Sequence, residues 1–516
     1  MKKSLSILSV LAFLAVAACN PENEQKPNVL FITVDDLNDW LGITKAHPLV
    51  KTPNLDRFFE SAVYFSNAHC ATPICQASRN AMLSGMAPSS TGWYSNYNQK
   101  TYEESNQISD VSHLSEWMKK NGYYTMAAGK IYHRGVADIK KDSLWNESLS
   151  LDDWHWKRPD YFEKNGVNYD KRFQPFPENG GKILSELGIK SGFSLTGGPA
   201  PTEELPDGKM HDEFITDWAI DKLKEQHNQP FYLAIGYHRP HVPYTAPAKF
   251  FDLYPIEDIK LPSIPDDEYS DVPIVAKAMA LGLIPGGDHV AVMKLGDQYW
   301  KELIQAYLAC ISFVDHEIGR LLAELKLNGL DENTIVVLVS DHGQNLGEKK
   351  NWRKMCLWEE STKVPMAFRV PGAKGHQNTS PASLLDVYPT LMDLTGISKP
   401  NHLMGNSLIS LIQNPLKIRE EPVVTTWLYK NHSVRSENYR YTIYRDGGEE
   451  FFNHEKDPDE HQNLIGNEEY REIIEWHKNY LPEINAKPLS KSEAENDRLD
   501  IILANWEERG VPDWLN

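Results

Sequence analysis

The sequence predicts an α/β fold: a large, mostly parallel sheet between helices, followed by a smaller C-terminal region with a short antiparallel sheet. Three observations predict it. The run Asn28-Val29-Leu30-Phe31-Ile32-Thr33-Val34 is apolar and β-branched, as a strand buried on both faces must be. Similar runs recur at 230–236 and 334–339, between stretches with helical period. After about residue 415 the texture changes to short strands separated by turns.

Taken in order, the first strand ends directly in Asp35-Asp36, followed by a helix over 54–63 with Leu55, Phe58, Phe59 and Ala62 on one face. Cys75-Gln76-Ala77-Ser78-Arg79 opens the next helix. Another runs from about His113, with Ser112 as N-cap, to a stop at Gly122. A strand over 123–128 delivers Lys130 and His133. Residues 135–210 have little periodicity and are rich in Trp, Pro, Gly and Asp, with Trp145, Trp154, His155, Trp156 and Arg158 standing out; such long stretches commonly carry substrate contacts. A helix over 211–226 and the strand 230–236 lead to Tyr237-His238-Arg239-Pro240-His241. Residues 255–295 read as an insertion. A long helix spans 298–327, with Cys310 on its apolar stripe. The strand 334–339 then leads to Asp341-His342-Gly343, and Asn351-Trp352-Arg353-Lys354 follows in a basic loop. A strand over 363–370 and a helix over 384–394 close the main region. Strands at 423–426, 432–435, 439–444 and 450–452, and helices at 468–480 and 491–507, complete the chain. The domains are then a leader over 1–19, a linker over 20–27, a main α/β domain over 28–415 and a C-terminal α+β subdomain over 416–516.

Composition limits the partners. Of 516 residues, 41% are hydrophobic and 24% charged, as in an ordinary globular protein. The formal charge of −19 argues against nucleic acid and against an anionic membrane surface as partners. An anionic substrate would need a local basic island. The N-terminus reads as an export signal: Lys2-Lys3, an apolar run from Leu5 to Ala18, and then Val16-Ala17-Ala18-Cys19, which resembles a bacterial lipobox. The expectation is an extracytoplasmic protein, in the periplasm or at the cell surface, anchored to the outer membrane by a lipid on Cys19. Five cysteines are too few for a disulfide framework, and their spacing does not suit zinc.

Each polar strand end has a plain structural reading: a capped turn for Asp35-Asp36, a solvated loop for Lys130 and His133, a packed turn for His238. Cys75 alone reads equally as a low-pKa thiolate at a helix N-terminus, or the precursor of something else, and as a plain residue that packs or pairs with Cys70. Four such ends in one parallel sheet, with a cysteine at a helix N-terminus, are most simply explained by convergence at the sheet's carboxyl edge. Asp35, Asp36 and Asp341 suit a hard divalent ion, Ca²⁺ or Mg²⁺. Arg79, Lys130, Lys354 and the histidines supply the basic island.

With these residues in view, the sequence resembles the type I, formylglycine-dependent sulfatases, and more narrowly their iduronate-2-sulfatase branch. The resemblance is carried by Val29 to Asn38, Cys75 to Gly85, Gly129 to His133, Gly236 to His241, Ser340 to Gly343, Leu346-Gly347-Glu348 with Trp352 and Lys354, and Ser433-Val434-Arg435 with Tyr439 to Thr442. It covers nearly the whole chain from residue 28 to beyond 460. Ala77 stands where proline is commonest in the family, and Gln344 where that branch has an aromatic residue.

The resemblance implies an alkaline-phosphatase-like sulfatase fold. It implies that Cys75 is oxidised to formylglycine by a formylglycine-generating maturation enzyme. Asp35, Asp36, Asp341 and His342 would be ligands of Ca²⁺, with residue 75 completing the set. Arg79 would hold the formylglycine, Lys130 and His133 would support its hydrate and the sulfate, His238 would protonate the leaving oxygen, and Lys354 would bind sulfate. A hydrated aldehyde can attack sulfur and then collapse to expel sulfate, which a serine cannot do. The implied substrate is a sulfated oligo- or polysaccharide, such as a 2-O-sulfated uronate or an ulvan-type glycan. Two other readings are a phosphonate monoester or phosphodiester hydrolase of the same superfamily, and a non-catalytic glycan-binding protein.

Overall fold

The computed structural model describes residues 26–96, 111–133, 136, 144–149, 195–200, 205–282, 288–489 and 494–511. The leader with Cys19, and Trp154, His155, Trp156 and Arg158, lie outside them.

An eight-stranded sheet organises the molecule. The first strand, β1 (Asn28–Val34), is buried at every position and lies near its centre. The chain then forms α1 (Pro53–Ser61), β2 (Val63–Phe65), α2 (Cys75–Ser84), α3 (Leu114–Lys120), β3 (Tyr124–Gly129), β4 (Glu147–Leu149), α4 (His211–Lys224) and β5 (Phe231–Tyr237). There follow α5 (Asp297–Leu327), β6 (Thr334–Ser340), β7 (Met366–Arg369), β8 (His376–Asn378) and α6 (Val387–Thr395). The strand order is β8-β2-β7-β6-β1-β5-β3-β4. From β6 to β4 every pairing is parallel, while β7 runs antiparallel to both β6 and β2. Both faces are covered. Leu30, Ile32 and Val34 pack with the apolar stripe of α5, while Val29 and Phe31 pack with α6 and its neighbours.

The C-terminal sheet is an antiparallel meander of β9 (Val423–Thr426), β10 (His432–Arg435), β11 (Tyr439–Ile443) and β12 (Glu449–Asn453). Two helices, α7 (Arg471–Lys478) and α8 (Ala494–Arg509), close the chain.

Several expectations change. The first helix stops at Ser61, because the β-branched and aromatic residues Val63 to Phe65 pair with β7 and β8. Ser112 does not cap α3; His113 stands at that position without a side-chain cap. The strand expected over 363–370 shortens to β7 and is the antiparallel member. Trp145 is core: it is buried, its indole N–H donates to the Val136 carbonyl at 2.8 Å, and its ring stacks on Tyr232. Cys75 is not paired with Cys70; among the described residues Cys70, Cys75, Cys310 and Cys356 are all free and buried.

The C-terminal packing carries a pH dependence. His477 on α7 is fully buried between the Ile473 carbonyl at 2.7 Å and the Ser436 hydroxyl at 3.0 Å. Burial pushes its pKa down to about 4. The folded imidazole stays neutral while the unfolded one takes up a proton below about pH 6.5. Stability from this group is present above that pH and is lost as pH falls toward about 4. His477→Gln is therefore expected to lose about 1–2 kcal/mol less than the parent between about pH 7.5 and pH 5, as read from urea melts. Equal losses would show that His477 is not the titrating group.

Candidate active site

Because β1, β3, β5 and β6 are parallel, their carboxyl ends meet at one edge. Val34 is level with Tyr237 on one side and Ser340 on the other, and Gly129 is level with Gly236. The next residues are Asp35, Lys130, His238 and Asp341, and so four separate strand ends deliver one cluster. Gly129 and Gly236 permit the closest approach. Gly129 has φ of 77°, and a Cβ on Gly236 would lie 2.2 Å from the Lys130 carbonyl. The Lys130 N–H can then donate to the Gly236 carbonyl at 2.8 Å. Asp36 turns the chain out of β1 with φ of 60°, and its carbonyl accepts the Tyr307 hydroxyl of α5 at 2.8 Å.

Residues Cys75 and Arg79 lie one turn apart on α2, so both face this edge. The Arg79 Nε donates to Asp341 Oδ2 at 2.8 Å, and its Nη2 to Asp35 Oδ1 at 3.2 Å. Lys130 pairs with Asp35 Oδ2, and Lys354 Nζ reaches Asp36 Oδ1 at 2.5 Å. His342 Nε2 lies 3.2 Å from Cys75 Sγ and 3.4 Å from Asp36 Oδ1. His238 Nδ1 stands 3.9 Å from Asp35 Oδ2. These side chains are buried, except that His238 is 26% exposed and marks the open side. His133, three residues beyond Lys130, is half-buried, and its Nδ1 has no hydrogen-bond partner among the described residues.

The electrostatics follow from burial and pairing. Burial alone would raise Asp35, yet Lys130, His241, Arg79 and His238 hold it well below the usual carboxylate range. Burial would also raise the Cys75 thiol, but Lys354 and Lys130 bring it well below its ordinary value. Burial opposes charge on Lys130 and Lys354, and the neighbouring acids more than compensate, so both are held up. His238 goes the other way: burial, then His241 and Lys130, push it well below its ordinary value.

A cation fits here. Ligand atoms of Asp35, Asp36, Cys75 and His342 lie within 4.8 Å of one another. Asp36 Oδ2 is buried and has no hydrogen-bond partner among the described residues, a costly arrangement that a divalent ion would relieve. The one soft donor is the Cys75 sulfur. Its replacement by oxygen would give a set suited to a hard ion such as Ca²⁺. Asp341 is placed differently from the other acids. Its Oδ2 faces Arg79, and its Oδ1 accepts the backbone N–H of Asp36 at 3.2 Å and of His342 at 3.1 Å.

The family model described as Sulfatase matches residues 27–397. The chain belongs to the sulfatase family. A second model, the C-terminal region of N-sulphoglucosamine sulphohydrolase, matches residues 347–487. A sulfatase of Formosa agariphila is 36% identical over 471 residues, covering 89% of this chain and 87% of that one. Human iduronate 2-sulfatase is 28% identical over 412 residues, covering 72% of this chain and 70% of its own. Among solved structures, a phosphonate monoester hydrolase from Silicibacter pomeroyi superposes with a TM-score of 0.69 at 22% identity, covering 88% of this chain and 94% of that one. That likeness shows the shared alkaline-phosphatase-like fold; the family match makes this chain a sulfuric ester hydrolase.

Sequence reasoning missed some residues that build this sulfatase site. Asp212, fully buried near the start of α4, accepts the backbone N–H of His238 at 3.0 Å and of Arg239 at 2.9 Å. An acid in the first turn of a helix reads as a dipole partner, and nothing local says that it faces inward. Tyr307 sits within the α5 stripe and reads as core. Gln344, which the sequence marks as a departure from the branch, is buried, its Nε2 donating to the Tyr244 hydroxyl at 2.6 Å.

Proposed function

We propose that this sulfatase is an exported carbohydrate sulfatase, cleaving sulfate esters on a sulfated oligo- or polysaccharide, with Ca²⁺ and a formylglycine made from Cys75 as its resident groups. The observation that carries the reading is the placement of Cys75 at the start of α2, 3.2 Å from His342, among three buried cations and three buried acids. Asp35, Asp36, Asp341 and His342 would hold the ion together with residue 75. When bound, these groups supply Lewis acidity and a hydrated aldehyde that serves as a regenerable oxygen nucleophile.

The chain's own side chains do the rest. Lys130 and Lys354 are kept protonated by Asp35 and Asp36, so they face an incoming sulfate as full charges and oppose the negative charge that develops on its oxygens. Arg79, locked between Asp35 and Asp341, fixes both carboxylates. His238 stands on the open side, where the leaving sugar oxygen would depart. It is neutral in the free protein, and an anionic ester beside it favours its protonated form. It can then give that proton to the alkoxide. His133 supports the same anion.

The saccharide class is supported by the iduronate 2-sulfatase relative, whose name denotes a sulfated uronate. Export and a lipid on Cys19 are supported by the basic start, apolar run and lipobox. A maturation enzyme is the partner that the Cys75 motif requires.

The test has two stages. Peptide mass spectrometry of the Cys75 segment, on protein co-produced with a formylglycine-generating enzyme, is expected to show the aldehyde. That protein is then expected to release sulfate from a panel of sulfated uronate and ulvan oligosaccharides and to leave a phosphonate monoester intact. An unmodified thiol with no sulfate release would overturn the reading.

A further inference from the structure

The hairpin beyond His342 has an unusual backbone. Residues Asn345–Leu346 pair antiparallel with Trp352–Arg353. Around this turn Gly347, Lys349, Lys350, Arg353 and Met355 take φ of 113°, 50°, 55°, 69° and 83°. Four of these carry side chains, for which this left-handed region is conformationally costly. Such a path persists only where its surroundings over-determine it. At the root, a Cβ on Gly347 would lie 2.2 Å from the Trp300 ring of α5. On the returning arm, Lys354 follows the hairpin directly and reaches Asp36 at 2.5 Å.

What over-determines the tip is Lys349, a buried lysine outside the active site. Its Nζ donates to Glu268 Oε1 and to the Glu460 carbonyl, each at 2.5 Å. The ammonium also lies 4.8 Å from the Trp358 ring centre and 5.7 Å from that of Phe452. Its own carbonyl accepts the Tyr269 hydroxyl. The second oxygen of Glu268 engages His461 at 2.6 Å. One ammonium thus gathers partners from the 255–295 stretch, from β12 and from the segment behind it. A buried ion pair is weak support for stability on its own, because desolvation offsets the attraction. A fixed geometry for the strained hairpin is what this pair can supply.

We propose that Lys349, through Glu268 and Glu460, is a positioning residue that holds the 345–355 hairpin so that Lys354 stays over Asp36 and the anion site. The inference rests on the reading of Lys354 as the sulfate-binding lysine. It gives the 255–295 stretch and the C-terminal sheet a shared role, since clamping the tip of the hairpin sets the affinity of the site for a sulfate group.

The experiment is a double-mutant cycle on the mature, calcium-loaded chain, with inorganic sulfate as the probe and titration calorimetry as the readout. Lys354→Ala is expected to weaken sulfate about 30-fold and Lys349→Met about tenfold. The double variant is expected to be no weaker than Lys354→Ala alone, because a positioning residue has nothing left to position. A merely structural lysine would lower thermal stability and multiply the two losses, and that result overturns the inference. If Lys349→Met does not fold, Glu268→Gln takes its place in the cycle, with an expected loss of about threefold that again vanishes without Lys354. Absence of sulfate binding by the parent protein would instead defeat the reading of the site, and the inference with it.

Discussion

Replacing Cys75 by alanine is expected to lower sulfate-ester turnover by about 10⁴-fold or more, because the variant has no group from which the nucleophile can be made. The fold should remain. Residue 75 is buried, and deleting one sulfur removes little volume, at a cost of about 1 kcal/mol. His342 keeps Asp36 at 3.4 Å and Asp341 at 3.7 Å. The measurement is kcat beside a thermal melt, with the midpoint within a few degrees of the parent. Cys75→Ser sharpens the test. A serine oxygen can take a sulfate group but has no second hydroxyl to drive its expulsion. At most one equivalent of the sugar alcohol per protein molecule should be released, its sulfate staying on the serine oxygen. Multiple turnover by either variant would show that residue 75 is not the nucleophile.

The second large effect is expected far from the chemistry. Arg440 on β11 is fully buried and donates to Glu460 Oε1 at 2.6 Å, to the Ser433 hydroxyl at 2.8 Å, to the Thr362 hydroxyl at 3.0 Å and to Glu359. Glu359 and Thr362 belong to the main region, so this guanidinium joins it to the C-terminal sheet. Burial alone would raise Glu460, but Arg440 and His454 bring it down to about 2. Arg440→Met leaves two buried carboxylates short of a partner. The expected loss is about 3–5 kcal/mol, and a fall in the melting midpoint of roughly 5–10 °C. The sign with pH is fixed. The parent gains from ionised Glu460 above the ordinary glutamate range and loses that gain as pH falls toward about 2. In the variant Glu460 protonates more readily, so the deficit should shrink as pH drops from about 7 to about 4.5. A variant that melts with the parent at both pH values would remove Arg440 from the joint.

Much of the fold was legible because its signals are local. A strand buried on both faces must be continuously apolar, and β1, β5 and β6 are. The stripe from Leu303 to Leu325 repeats at helical period, and α5 forms there. The polar residues that end these strands are legible for the same reason: an acid directly after an apolar strand sits at the strand's carboxyl end wherever the strand goes. Less legible were elements whose state depends on a distant partner. Val63 to Phe65 became a strand because β7 and β8 flank it, and β7 runs antiparallel because of its neighbours.

From the sequence alone came the residue types of the site, their order, and the sheet edge on which Asp35, Lys130, His238 and Asp341 meet. The tertiary structure decided how they pair. Asp341 turns toward Arg79, 262 residues away in the chain, and Lys354 toward Asp36, 318 residues away. Asp212 faces the His238 turn, and Lys349 finds Glu268 and Glu460. The physical reason is range. Hydrophobic period and strand-end chemistry are set within a few residues, whereas the partner of a buried charge is set by whichever group packing brings within about 3 Å. No local pattern encodes that distance.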